Sequence, residues 1–369
     1  MTSPTPSNDT GADSLRRVVI VSRVRRNPYV TLLAEGLKQP DLKLAVTLSD
    51  SFSARWMWRN RRAVDVLHIQ WLELLFVYAT WARSVKRWLS VMVGLLIARL
   101  SGVCLVYTVH NLDQHEGRRL ALTRAGNRVM FALAQRVHVH DADTAAQLRA
   151  QWGRTRGVHI IPHGSYVGAY PDTCTRDDAR RRLGLDDAAF VHLHLGRVRP
   201  YKGVEELVAA FGALDDPAAA LVIAGEAQEP GYAATLQSQA QGDGRIRLHL
   251  RFVADEELQF FFRAADVCVL PYRHVTTSGA AILSFSYGVP VVAPRLGCFR
   301  DMVHEGDARE RRGLLYDPAA PDGLQAALAA VRNADLPAMR AACARAASEL
   351  DWSRISRLHA AMYRSCPRG

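Results

Sequence analysis

Short runs dominated by Val, Ile and Leu alternate with amphipathic stretches of helix length along nearly the whole chain. The first half carries "RVVIVS", "LKLAVTL", "DVLHIQ", "VCLVYTV", "RVHVH" and "VHIIP"; the second carries "FVHLHLG", "AALVIAG", "RIRLHL", "DVCVLP", "VPVVA" and "GLLYD". Strands interleaved with helices of this length imply parallel sheets covered on both faces. Two such series predict an α/β chain with two doubly wound, Rossmann-like domains in tandem, and 369 residues suit two domains better than one. The seam is expected in the polar, turn-rich "YVGAYPDTCTRDD". Residues 15–170 then form the first domain, 171–350 the second, and 351–369 a terminal helix. Residues 1–14 are polar and Pro/Ser-rich, without the basic start and apolar core of a signal peptide, and read as a disordered leader. Open parallel sheets bind ligands beyond the carboxyl ends of their strands, so the default site is the cleft between two facing domains. No short repeat and no GxGxxG is present.

Two stretches of the second half carry anion chemistry. In "HLGRVRPYKGVEELVAAF" a strand ends at Gly196, and Arg197 and Lys202 project just before an amphipathic helix. Two cations beside the free N–H groups of a helix start make an anion site. In "PYRHVTTSGAAILSFSYGVPVVAP" a strand leads through Tyr272 to Thr276, Thr277, Ser278 and Gly279 at the mouth of a short apolar helix, with Gly288 as its C-terminal cap. A cap needs one hydroxyl. The surplus, with a glycine that lets the backbone approach closely, favours a phosphate over a plain cap.

The joint pattern "GR…YKG…LVIAGE…ADVCVLPY…G-V-P-V-V-A", with "HIQWLE", "YTVHNLDQHE" and "IPHGSY" in the first half, resembles GT-B glycosyltransferases, in particular glycosyltransferase family 4 and its relatives. The resemblance spans roughly residues 17–363. It implies two Rossmann-like domains, the second holding a nucleoside-diphosphate sugar (UDP- or GDP-linked) and the first the acceptor, and no required cofactor or metal. It implies that Arg197 and Lys202 grip the donor diphosphate, that Thr277, Ser278 and Gly279 close around it, and that Glu226, Phe252 and Val253 lie near the nucleoside. His110, at the end of a first-half strand, matches the histidine that contacts the transferring sugar. Glu116 is a candidate general base if the reaction inverts. Arg25, Asn27, Tyr29, Asn111, His115, His163 and Gly164 are expected along the cleft, and the terminal helix is expected to cross back to the first domain. One departure stands out. Family 4 carries a Glu-x7-Glu motif here, and this chain has Val275 and Leu283 at the two positions. A divergent subset is implied, with the retaining outcome in doubt.

Charge is uneven. The first 175 residues hold 23 Lys and Arg against 12 Asp and Glu, which is the whole excess behind the net charge of +11. No recognition motif for nucleic acid accompanies it. Residues 81–102, "WARSVKRWLSVMVGLLIARLSG", contain an uninterrupted apolar part over 88–98 that is too short to span a bilayer. Arg83, Lys86, Arg87, Ser90 and Gly94 recur at helical spacing opposite a broad apolar face, and "RWMWRNRR" adds aromatics among cations. An interfacial helix on an anionic membrane surface is expected. Six scattered cysteines show no CxxC pair and suggest neither a zinc site nor a disulfide framework; a reducing cytoplasm fits, with the protein peripheral on the inner face of the cell membrane. His138/His140 and His192/His194 read as sheet-face or core histidines, since no third ligand completes a metal set.

The expected activity is transfer of a hexose from a nucleotide sugar to a hydroxyl of a glycan acceptor, lipid-linked, in bacterial polysaccharide or glycolipid synthesis. The rivals are a non-catalytic binding protein of the same fold and a nucleotide-sugar epimerase.

Overall fold

The structure is a computed structural model and describes residues 15–24, 27–112 and 119–367. Arg25, His115 and Glu116, named above as site candidates, lie outside the described residues. The chain divides into two compact units: residues 1–140, 145–161 and 352–369, and residues 141–144 and 162–351. Residues 162–170, with His163 and Gly164, therefore belong to the second unit.

The first unit contains β1 (Arg16–Val21), β2 (Leu44–Ser49), β3 (Val66–Gln70), β4 (Cys104–Thr108), β5 (Arg136–Val139) and β6 (Val158–Ile160). They form one parallel sheet in the order β2-β1-β3-β4-β5-β6. Every residue of β3 and β4 is buried, as double-sided cover requires. The strand order reverses between β1 and β3, which places the topological switch point there. The last helix of the chain, Trp352–Arg364, belongs to this unit and packs on helix Tyr29–Leu37. A methyl group on Gly36 would collide with Ser356, so the two backbones approach closely. Arg16 Nη1 donates to the Tyr363 carbonyl at 2.6 Å.

A disulfide joins Cys104 to Cys366 across 262 residues of sequence. This corrects the expectation of unpaired cysteines. Spacing along the chain cannot show that docking of the terminal helix brings residue 366 onto β4.

The second unit contains β7 (Phe190–Leu195), β8 (Ala219–Ala224), β9 (Ile246–His249), β10 (Val267–Val269), β11 (Val291–Pro294) and β12 (Gly313–Tyr316). These too are all parallel, in the order β12-β11-β10-β7-β8-β9. This is the dinucleotide-type order, with its switch point between β7 and β10. All of β7, β8 and β10 is buried. Each fully buried Val or Leu contributes roughly 1.5–3 kcal/mol. His192 and His194 face this core and are held neutral by burial, at about 4 and about 3.

Candidate functional site

The chemistry expected of the second unit converges on its switch point. Arg197 follows β7, and residues 271–279 follow β10, its neighbour in the sheet. Gly203, in the left-handed region at φ 66°, turns the first loop into helix Val204–Gly212, and a side chain there would collide with the Pro271 carbonyl oxygen. The two loops are thereby packed backbone to backbone. Lys202 Nζ reaches across and donates to the Tyr272 hydroxyl at 3.1 Å. A Cβ at Gly196 would crowd the same Nζ at 3.1 Å, and the glycine's φ of 141° is a conformation that side-chain-bearing residues rarely adopt.

Lys202 is the electrostatic centre of this arrangement. Burial first, then Arg199 and Arg197, lowers it to about 8. Neither Lys202 nor Arg197 forms an ion pair among the described residues. Elsewhere in the unit a buried cation is neutralised: the Arg180 guanidinium, 1% exposed, pairs with Asp266 at 2.9 Å. Lys202 is half-buried and, among the described residues, has only the neutral Tyr272 hydroxyl for its charge; a partly desolvated cation without a counter-charge is costly, and a bound anion would compensate it.

The hydroxyl cluster divides into one capping and one unpartnered hydroxyl among the described residues. Ser278 is the N-cap of helix Gly279–Ser286, its Oγ accepting from Ala281 N at 3.2 Å. Thr277 Oγ1 is buried and has no hydrogen-bond partner among the described residues. Thr276 is half-buried beside it. Gly288, at φ 68°, follows the helix end. His163, neutral at about 4 through burial, lies 3.3 Å from the Tyr166 hydroxyl, and that hydroxyl would touch a Cβ on Gly279 at 3.3 Å. The "IPHGSY" loop therefore backs the helix start, with Gly164 supplying the carbonyl that His163 Nδ1 bonds at 2.7 Å.

Glu226 is exposed at the end of β8, and its carbonyl accepts from Val198 N, one residue beyond Arg197, at 3.0 Å. Phe252 and Val253 follow the edge strand β9 on the same side of the sheet, with Phe252 49% exposed. Glu206, in the first turn of helix Val204–Gly212, is occupied by Arg273.

In the first unit, His110 follows β4 and its ring stacks on Trp71, centroids 3.6 Å apart and planes within 3°. Its Nε2 lies 2.6 Å from the Gln70 amide. Trp71 holds φ 46° and ψ 65°, a left-handed conformation costing a non-glycine residue about 1–3 kcal/mol. Tyr29, expected along the cleft, is instead fully buried, edge-on to His110, Trp71 and His140. Its aromatic ring makes it core support. Asn27 Oδ1 accepts from Tyr29 N at 2.9 Å and starts the helix, and Asn111 is exposed beside His110. Gln70 and Trp71 escaped residue-level notice although "HIQWLE" contained them; the available signal was a polar-aromatic pair at a strand end of the switch point.

Helix Trp81–Leu100 divides its apolar residues. Val91, Met92, Leu95 and Ala98 enter the core, while Leu89, Val93, Leu96 and Leu100 are 53%, 47%, 47% and 78% exposed along one stripe. Gly94, expected on a polar face, is buried: a Cβ there would meet the Phe52 ring at 3.0 Å. Arg83, Lys86, Arg99 and, on helix Ala54–Asn60, Arg55, Arg59 and Trp58 are exposed. No described helix is long and apolar enough to cross a membrane.

The family described as "Glycosyl transferases group 1" matches residues 189–333. A GDP-mannose:glycolipid 4-beta-D-mannosyltransferase of Xanthomonas campestris pv. campestris is 27% identical over 340 residues, covering 91% of this chain and 88% of that protein. D-inositol 3-phosphate glycosyltransferase 1 of Catenulispora acidiphila is 31% identical over 76% of this chain and 71% of its own length. Among solved structures, Anabaena HepE in complex with UDP-glucose superposes with a TM-score of 0.72 at 18% identity, over 95% of this chain and 99% of that one. The two parallel six-stranded sheets and their flanking helices are the GT-B architecture, and the chain belongs to the group 1 glycosyl transferases as a nucleotide-sugar glycosyltransferase.

Proposed function

We propose that this enzyme transfers mannose from GDP-mannose to a glycolipid acceptor with inversion at the anomeric carbon. The observation that carries the donor site is the half-buried, desolvated Lys202 amine, without a carboxylate partner among the described residues, next to Arg197 and the Thr277 hydroxyl, which has no hydrogen-bond partner among them either. Arg197 and Lys202 take the diphosphate, and Thr277, Ser278 and the helix start at Gly279 enclose it. Such preorganised donors stabilise the departing diphosphate by a few kcal/mol each. Glu226, Phe252 and Val253 serve the nucleoside side, and His110 contacts the sugar.

The sugar and acceptor rest on the Xanthomonas relatives, whose names specify GDP-mannose, a glycolipid and a β-linkage. Forming a β-mannoside from an α-linked sugar nucleotide inverts the centre and calls for a general base on the acceptor hydroxyl, the role assigned to Glu116. The missing Glu-x7-Glu pair accords with that outcome. The exposed stripe of helix Trp81–Leu100, with the cations around it, suits an anionic membrane surface where a glycolipid would be met. The test is incubation with labelled GDP-mannose, UDP-glucose or UDP-N-acetylglucosamine and a lipid-linked glycan extract, followed by product anomer assignment. Label transferred from GDP-mannose into a β-linked glycolipid is expected. Transfer from a UDP-sugar alone, or an α-linked product, would overturn the reading.

A further inference from the structure

A buried chain of hydrogen bonds runs through the first unit from the Ile161 carbonyl to His110. His138 Nε2 lies 2.8 Å from Ile161 O, and His138 Nδ1 lies 3.0 Å from Thr108 Oγ1. Thr108 Oγ1 is 2.7 Å from His68 Nε2, and His68 Nδ1 is 2.7 Å from the Tyr363 hydroxyl. The Gln70 amide stands between His68 Nε2, at 3.1 Å, and His110 Nε2, at 2.6 Å.

A carbonyl can only accept, so His138 Nε2 carries a proton. Burial holds both His138 and His68 far below the ordinary histidine value, so each is neutral and has one N–H. His138 Nδ1 must then accept, and Thr108 uses its only proton to donate to it. Thr108 Oγ1 in turn accepts from His68 Nε2–H, and His68 Nδ1 accepts from the Tyr363 hydroxyl. The His68 nitrogen facing Gln70 therefore bears hydrogen and cannot accept from an amide NH2. Oε1 is placed toward His110 and Nε2 toward His68. A half-turn of the amide exchanges the two, and a glutamine's orientation is assigned by its network. Keeping the first orientation would require His68 Nε2 to accept, Thr108 to donate to it, and His138 to hold two protons as a buried imidazolium.

We propose that Gln70 is a positioning residue that presents its NH2 to His110 Nε2, fixing the sugar-contacting histidine as the tautomer with its proton on Nδ1. Trp71, stacked on the same ring in a left-handed backbone conformation, fixes the ring plane. Any proton that neutral His110 donates then comes from Nδ1. The functional meaning rests on the proposed role of His110; the tautomer itself does not.

The experiment is a long-range ¹H–¹⁵N spectrum of the full-length protein labelled in histidine, with His110 assigned by the signals lost in His110→Ala. The wild type is expected to show His110 Nε2 unprotonated and Nδ1 protonated, with His138 neutral and protonated at Nε2. Protonated Nε2 on His110, or a doubly protonated His138, would overturn the proposal. In Gln70→Leu the His110 nitrogens should shift toward tautomer-averaged values while His138 stays put, and kcat should fall about tenfold with donor KM little changed. A tautomer that averages without loss of kcat supports the wire and removes His110 from the sugar. An unaltered His110 spectrum in Gln70→Leu overturns the wire. Should that variant not fold, the wild-type spectrum decides alone.

Discussion

Replacing Lys202 by methionine is expected to stabilise the ligand-free enzyme while weakening its affinity for a nucleoside diphosphate. Burial, with Arg199 and Arg197 near, depresses Lys202 from 10.5 to about 8. A lysine depressed by folding costs stability wherever it is charged: the full cost is present below pH 8 and fades as pH rises from about 8 to 10.5. At roughly 1.4 kcal/mol per pH unit this amounts to about 3 kcal/mol. The bond from Nζ to the Tyr272 hydroxyl sets about 1 kcal/mol against it. Methionine retains most of the stem's packing, so a net gain of about 2 kcal/mol is expected at neutral pH. Denaturant unfolding of both proteins, with and without GDP, measures it. The gap should narrow toward pH 10 as the wild-type lysine discharges, and GDP should stabilise the wild type more than the variant at equal concentration. A Lys202→Met protein less stable than wild type at neutral pH, or one stabilised by GDP as much as the wild type, would refute the claim that the lysine is an uncompensated charge awaiting an anion.

The same linkage makes GDP affinity fall as pH rises through about 8, by up to tenfold per unit, because binding favours protonated Lys202; Lys202→Arg, charged throughout, should flatten that profile in a titration series. Thr277→Val removes a buried hydroxyl with no hydrogen-bond partner among the described residues, so the ligand-free protein should gain about 1 kcal/mol of stability to unfolding while GDP binding weakens about tenfold. Ser278→Ala should do the reverse in part, lowering stability by about 1 kcal/mol through loss of the cap, as thermal unfolding would show. Leu96→Glu, on the exposed stripe, should leave thermal stability unchanged and abolish flotation with anionic vesicles; retained flotation would remove that stripe from the membrane reading.

All twelve strand runs in the sequence became strands, because a parallel strand covered on both faces must be apolar at nearly every position and so stands out from an amphipathic helix. That Arg197, Lys202 and the Thr-Thr-Ser-Gly run stand at strand ends and helix starts was legible for a related reason, since composition marks both; their proposed hold on a donor follows from the general place of ligands at a switch point. What escaped notice depends on which segments meet. Tyr29 looked like a loop residue but fills the core under His110. Cys104 and Cys366 meet only when the last helix docks. Gly94 sits among the polar positions of a helical wheel, yet the loop before helix Ala54–Asn60 approaches it through Phe52. Gln70 gains its role from His68 and His110, two strands' worth of register that no local pattern encodes.

The most direct test of the central claim is a calorimetric titration of GDP into the wild-type enzyme and Lys202→Met at pH 7. A single saturable site in the wild type, weakened at least about tenfold in the variant, is the predicted result, since a charge-assisted contact to phosphate is worth about 1.5–3 kcal/mol. Equal affinity in the two proteins would mean that the switch point of the second sheet is not where this enzyme holds its donor, and no binding by the wild type would remove GDP as the donor nucleotide.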